Sequence, residues 1–103
     1  MLNMTVTVGS KEMIVKEWFA NKIANELQRN LYFDVYVFAI LKETEKAAYA
    51  MLSVGSYQKK TMWIPKSALI SKDVEQGDDR AVIYTDDYEK ACELFKDHWD
   101  MYN

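Results

Sequence analysis

The side chains able to do chemistry in this chain are mostly carboxylates near its C-terminal end. Asp86, Glu89, Glu93, Asp97 and Asp100 follow one another at spacings of three, four, four and three residues. On a helix that spacing places all five along one side. Like charges at i,i+4 cost a few tenths of a kcal/mol each, so the row is mildly unfavourable for the helix itself. Carboxylates about 6 Å apart resemble the spacing of phosphates along one nucleic-acid strand. Asp73, Glu75, Asp78 and Asp79 precede the row and are placed to extend it. One reading is a surface that occupies a basic groove. The other is a solvated helix face, with Asp86–Lys90 and Lys96–Asp100 as i,i+4 ion pairs.

Catalysis is poorly supplied. The chain has one histidine, His98, and one cysteine, Cys92. Six positions apart on a helix, they stand about 120° off a common face. They are badly placed to act as nucleophile and base, or to share a metal. His98 reads as a helix-surface residue near a C-terminus, where positive charge is tolerated. Cys92 reads as core. The three glycines, at 9, 55 and 77, make no phosphate-binding loop. Asp78-Asp79 and Asp86-Asp87 are adjacent pairs with no base, nucleophile or ligand partner in view. Neither an enzyme nor a cofactor, metal or small-molecule substrate is expected.

A rival surface is basic. Lys42, Lys46, Lys59, Lys60 and Lys66 are interleaved with Tyr49, Tyr57 and Trp63. Rings between lysines stack on bases and hold phosphates, which points to single strands held by Lys59, Lys60, Trp63 and Lys66. Lysines on edge strands also block aggregation, which needs no ligand. The charge changes sign along the chain. Residues 1–72 carry 10 Lys/Arg against 6 Asp/Glu, and residues 73–103 carry 3 against 10. The net charge of −3 argues against a nucleic-acid binder and for an acidic surface offered to a basic partner.

These residues need elements to position them. Residues 4–8 alternate as a strand does, and Gly9-Ser10 turns the chain. Either Ser10 caps a helix running to Asn30, or Gly9-Ser10 closes a hairpin, 11–15 pairs back and the helix begins near Lys16. The β-prone Met13-Ile14-Val15 favours the hairpin. Both readings make 17–30 helical, with Phe19, Ile23 and Leu27 on one stripe. Residues 32–41 form the strongest strand, apolar enough to be covered on most of both faces. A charged turn at 42–46, a strand at 47–54, a loop at 55–60 and a strand at 61–64 ended by Pro65 complete an antiparallel meander. Residues 71–79 read as a loop and 80–84 as a short edge strand. Asp86 and Glu89 fit a capping box, followed by a helix to about Met101. Its buried stripe is Tyr88, Cys92, Phe95 and Trp99, with Ala91 and Tyr102 beside it.

The expected fold is therefore one α+β domain over residues 1–103. An antiparallel meander sheet of three to five strands is covered by two helices. The expected core is Phe19, Ile23, Leu27, Val35, Val37, Trp63, Phe95 and Trp99. The lone cysteine requires no oxidising compartment, and neither a signal peptide nor a membrane-spanning stretch is evident. Those features read as a cytoplasmic protein. Six Met and seven Tyr are many for one small core. That surplus favours a homodimer over a monomer.

Glu43-Thr44-Glu45-Lys46-Ala47, which starts a strand, and Trp63-Ile64-Pro65-Lys66-Ser67, which ends the next, together resemble a recurrent element of small proteins. Those proteins come from phages and other mobile elements of Gram-positive bacteria, and some are type II anti-CRISPR proteins. In that element the tryptophan is a packing anchor, so the resemblance implies a buried Trp63. It further implies a non-enzymatic inhibitor in a bacterial host, acting on an RNA-guided CRISPR nuclease or another nucleic-acid-processing protein. The residues expected to carry binding are Asp78, Asp79, Asp86, Glu89, Glu93, Asp97 and Asp100. An accessory single-strand-binding protein of a mobile element, using the basic set, is the alternative.

Overall fold

The apolar run beginning at Val35 becomes the hub of a sheet. The computed structural model describes residues 6–26, 35–54, 58–75 and 77–100. Their elements, in chain order, are β1 (Thr7–Val8), β2 (Lys11–Val15), α1 (Glu17–Glu26), β3 (Tyr36–Glu43), β4 (Ala47–Ser53) and β5 (Lys59–Pro65). A 3₁₀ turn at Lys66–Ala68, β6 (Leu69–Asp73), β7 (Ile83–Tyr84) and α2 (Tyr88–Asp100) follow. The class is α+β. The sheet has seven strands rather than three to five, and it is mixed rather than purely antiparallel. The expected segments at residues 4–5, 27–34 and 55–57 lie outside the described residues, as do Leu27, Tyr57, Met101 and Tyr102.

The meander forms as expected from β3, β4 and β5. Thr44 closes its first turn. The Thr44 N–H donates to the Ala47 carbonyl at 2.8 Å, and the Ala47 N–H donates to Thr44 Oγ1 at 3.1 Å. β3 runs on to Glu43, so the charged turn is shorter than expected, and β5 starts two residues early at Lys59.

The other edge of β3 is forked. β2 meets its beginning, with Ile14 opposite Tyr36. β7 runs parallel beside its second half, with Ala39 opposite Ile83 and Ile40 opposite Tyr84. β6 then extends the first branch and β1 the second. Residues 11–15 are therefore a strand, but the expected hairpin at Gly9-Ser10 does not form. There the chain crosses from one branch to the other. The Gly9 N–H donates to the Val82 carbonyl at 2.9 Å. A Cβ at this position would lie 3.0 Å from that oxygen and from Tyr84 Cε2, so the close approach excludes a side chain. Two further expectations change. Residues 71–73 belong to β6 rather than a loop, and β7 is internal, not an edge.

Two bulges on β3 decide which side chains go to which face. Val37 pairs with Leu52 and Ala39 with Met51, so Phe38 is an extra residue. Leu41 is another, between the pairs Ile40–Ala50 and Lys42–Tyr49. Val37 and Ile40 enter a first core with Val15, Phe19, Ile23, Leu52 and Ile64. Ala39 and Leu41, with Phe38 against them, enter a second core with Met51, Ala91 and Phe95. α1 thus closes one face and α2 the other. Trp63, expected in the core, is 47% exposed. Ile64 takes the buried position because β5 alternates, and Trp63 shares its face with Lys59 and Thr61.

Candidate functional site

α2 starts one residue later than expected. The Lys90 N–H donates to Asp87 Oδ1 at 3.0 Å and the Ala91 N–H to the Asp87 carbonyl at 3.0 Å. Asp87 is therefore the N-cap. Thr85 Oγ1 accepts from the Asp87 N–H at 3.3 Å. Lys90 occupies the third helical position, so the expected Asp86–Glu89 capping box is absent. Asp86 precedes the helix.

At 100° per residue, Glu89, Glu93, Asp97 and Asp100 fall within an arc of about 80°, nearly opposite Ala91 and Phe95. Those two are buried, whereas the four carboxylates and Asp86 are all exposed. Lys90 and Lys96 border the row on its two sides. Lys90 pairs with Glu93 at 3.8 Å rather than with Asp86. Glu89 suits the positive N-terminal end of the helix. Asp97 and Asp100 lie in the last described turn of α2. The basic residue in that turn is His98. Burial holds its pKa below the ordinary 6.5, partly countered by Asp79, so it is neutral at pH 7. It is half-buried against Phe38 and Trp99, not on the surface as expected.

The loop carboxylates do not continue the row as one unit. Asp78 is committed to Arg80 through Nε at 3.1 Å and Nη2 at 3.0 Å, and the Arg80 N–H donates to Asp78 Oδ1 at 2.8 Å. These bonds hold the Asp78 carboxyl at a pKa of about 2. The buried Glu12 lies 3.6 Å from the same guanidinium. Asp73 pairs with Lys11 at 3.9 Å. Asp79 approaches α2 beside His98. Together they line a cavity of about 190 Å³ with Tyr36, Phe38 and Trp99. A second, open groove of about 400 Å³ runs between β3 and the start of α2, past Lys42, Tyr84 and Asp86.

The basic set is dispersed. Lys60 pairs with Glu26 at 3.4 Å and Lys66 with Glu43 at 3.1 Å. The Lys59 ammonium lies over the Phe95 ring, 5.6 Å from its centroid. Trp63 rests on Tyr49 with centroids 5.4 Å apart. Cys92 is partly buried against the second core, away from the cavity that His98 lines. Among the described residues no group of three or more His, Cys, Asp or Glu is placed to hold a metal ion. No helix among them is long and apolar enough to cross a membrane.

Tyr88 and Trp63 are surface residues that the sequence reading put inside. The alternation Lys59, Thr61, Trp63 was the available signal for Trp63. For Tyr88 it was the position directly after a capping aspartate. The Glu12–Arg80 pairing had no local signal. No family model, curated protein or solved structure matches the chain.

Proposed function

We propose that this protein is a non-enzymatic inhibitor whose α2 occupies a basic nucleic-acid-binding surface on a host protein. The observation that carries the reading is the exposed row of Glu89, Glu93, Asp97 and Asp100 on one side of α2, opposite the buried Ala91 and Phe95. Like charges at i,i+4, as in Glu89–Glu93 and Glu93–Asp97, work mildly against the helix that bears them. A row retained against its own helix suits a basic groove, where counter-charges are supplied by the partner. With the phage-like strand element, an RNA-guided CRISPR nuclease is the first target to test.

The test is cleavage of target DNA by such a nuclease with and without the protein. Glu89→Lys, Glu93→Lys and Asp97→Lys together abolish inhibition while the circular dichroism spectrum stays unchanged. Unaltered inhibition by the triple variant overturns the reading.

The exposed Trp63 beside Tyr49 favours a second reading, direct binding of single strands. Filter retention of single-stranded DNA at low salt separates the two, since an acidic mimic retains none. Pairing of Lys60 and Lys66 within the chain ranks this reading second.

A further inference from the structure

β5 lies at an edge of the sheet, and the bonds at its two ends fix which of its residues face outward. The Val54 N–H donates to the Gln58 carbonyl at 3.1 Å, and the Lys66 N–H donates to the Lys46 carbonyl at 2.8 Å. Between those bonds β4 and β5 pair without a bulge, from Ser53 opposite Lys59 to Ala47 opposite Pro65. Bonded positions alternate along an antiparallel pair. Lys60, Met62 and Ile64 therefore bond inward to β4, and Lys59, Thr61, Trp63 and Pro65 turn their backbone groups outward. β5 has no second neighbour in the sheet. Pro65 has no N–H to offer. Lys59, Thr61 and Trp63 thus leave an open row of N–H and C=O groups, with no bonding partner among the described residues.

The side chains of that row fit a copy of themselves. Two β5 strands laid antiparallel about Thr61 engage all three outward residues of each chain. Thr61 then faces Thr61, and Lys59 of each chain faces Trp63 of the other, with Cβ atoms about 5 Å apart. Trp63 is 47% exposed, and on its inner side it meets Tyr49 with ring centroids 5.4 Å apart. Its outer side is the one from which Lys59 of a second copy arrives, and an indole attracts both a cation and its alkyl stem. On the opposite face Lys60 falls across from Met62. Lysines often keep an edge strand unpaired. Here the Lys60 ammonium is drawn 3.4 Å from Glu26, and that of Lys59 lies 5.6 Å from the Phe95 centroid, on the face that α2 covers. Both are held over the faces of the sheet rather than across its edge.

The other edges do not match themselves in this way. β1 has two residues. On β6, the Lys16 N–H donates to the Ala68 carbonyl at 2.7 Å and the Val74 N–H to the Ser10 carbonyl at 3.0 Å, so Leu69, Ser71 and Asp73 turn outward. The antiparallel register that engages all three sets Leu69 opposite Asp73.

We propose that β5 is a self-association edge, through which two copies of this chain join antiparallel about Thr61 into one continuous sheet. The two-fold axis stands perpendicular to the sheet, so both α2 helices lie on the same face of the dimer. The proposal stands independently of what α2 binds.

Sedimentation equilibrium of the full chain tests it. The mass rises with protein concentration from 12.1 kDa to twice that value. Thr61→Pro removes the central outward N–H and spares the inward bonds to β4, an edge position that proline tolerates. Trp63→Lys sets an ammonium opposite Lys59 at both ends of the pairing. Each variant keeps its circular dichroism spectrum and stays at the mass of one chain. Should a variant unfold, amide exchange of the native chain still decides. Raising the protein concentration slows exchange at Lys59, Thr61 and Trp63 and leaves Leu69 and Ser71 unchanged. A dimer that either folded variant retains, or protection gained at β6 instead, overturns the proposal. So does a single-chain mass at every concentration, which leaves the edge to a strand of another protein.

Discussion

α1 and α2 solve the same packing problem on opposite faces of one sheet, yet their outer surfaces differ. α1 buries Phe19 and Ile23 and shows solvent a mixture of Trp18, Asn21, Lys22, Asn25 and Glu26. Its Glu26 is paired with Lys60, so its charge is used within the fold. α2 buries Ala91 and Phe95 as economically, but its outer face carries a row of like charges at i,i+4 spacing. Packing explains the inner faces of both helices. It explains the outer face of α1 and leaves that of α2 without a structural cause. That difference is what the proposed binding surface on α2 rests on.

The comparison can be broken most forcefully at the inner faces, which should behave alike. Phe95→Ala is expected to cost about 3–5 kcal/mol and Ile23→Ala about 2–5 kcal/mol in urea unfolding. A much smaller loss for Phe95 would mean that α2 is not held by its core and that its face is not rigidly presented. Trp63→Ala, at a half-exposed ring, should cost about 1 kcal/mol in the same experiment. A loss near that of Phe95 would return Trp63 to the core. At the outer faces the sign reverses. Asp97→Asn, which relieves the i,i+4 repulsion from Glu93, should raise stability by about 0.2–0.5 kcal/mol, while weakening inhibition. If it does not stabilise, the row does not work against its helix.

The pH dependence of α2 sharpens the contrast further. Burial lowers the His98 pKa below its unfolded value of 6.5. The stability this represents is full above about pH 6.5 and is lost as pH falls through the folded value, because the unfolded chain binds the proton more readily. Denaturation midpoints should therefore drop between pH 7 and 5, and His98→Asn should flatten that slope. The Asp78–Arg80 contribution falls away only lower, as the pH approaches about 2. The smallest expected effect serves as the control. Glu17→Lys and Glu26→Lys on α1 should leave inhibition unchanged, and a loss there would assign binding to the whole surface rather than to α2.

What was legible in the sequence follows from how local each signal is. The apolar run of β3, the apolar stretch of β4 and the stripe of α1 are short-range patterns, and each marked its element directly. The cap is Asp87 rather than the expected Asp86, and Thr85 Oγ1 accepts the Asp87 N–H, a contact that spacing alone did not mark. β6 has one exposed and one partly exposed apolar residue, Ile70 and Leu69, too few to mark a strand. The fork at β3, the parallel seat of β7 and the burial of Glu12 beneath Arg80 join residues far apart in the chain, which no local pattern encodes. The carboxylate row was visible because a helix converts spacing into a face.

The forked edge of β3 also sets an order of events. β3, β4 and β5 are linked by short connections and pair early, whereas Ile83 must return to Ala39 across 44 positions of chain. β7 and its partner β1 contribute two residues each. Their amides are expected to exchange with solvent ahead of those of the meander, which native-state hydrogen exchange checks. α2 follows β7 by only a few residues, so the helix that bears the charge is tethered through the sheet's last-formed and first-opening seam. Opening of that seam is expected to loosen the base of α2 while the meander stays intact.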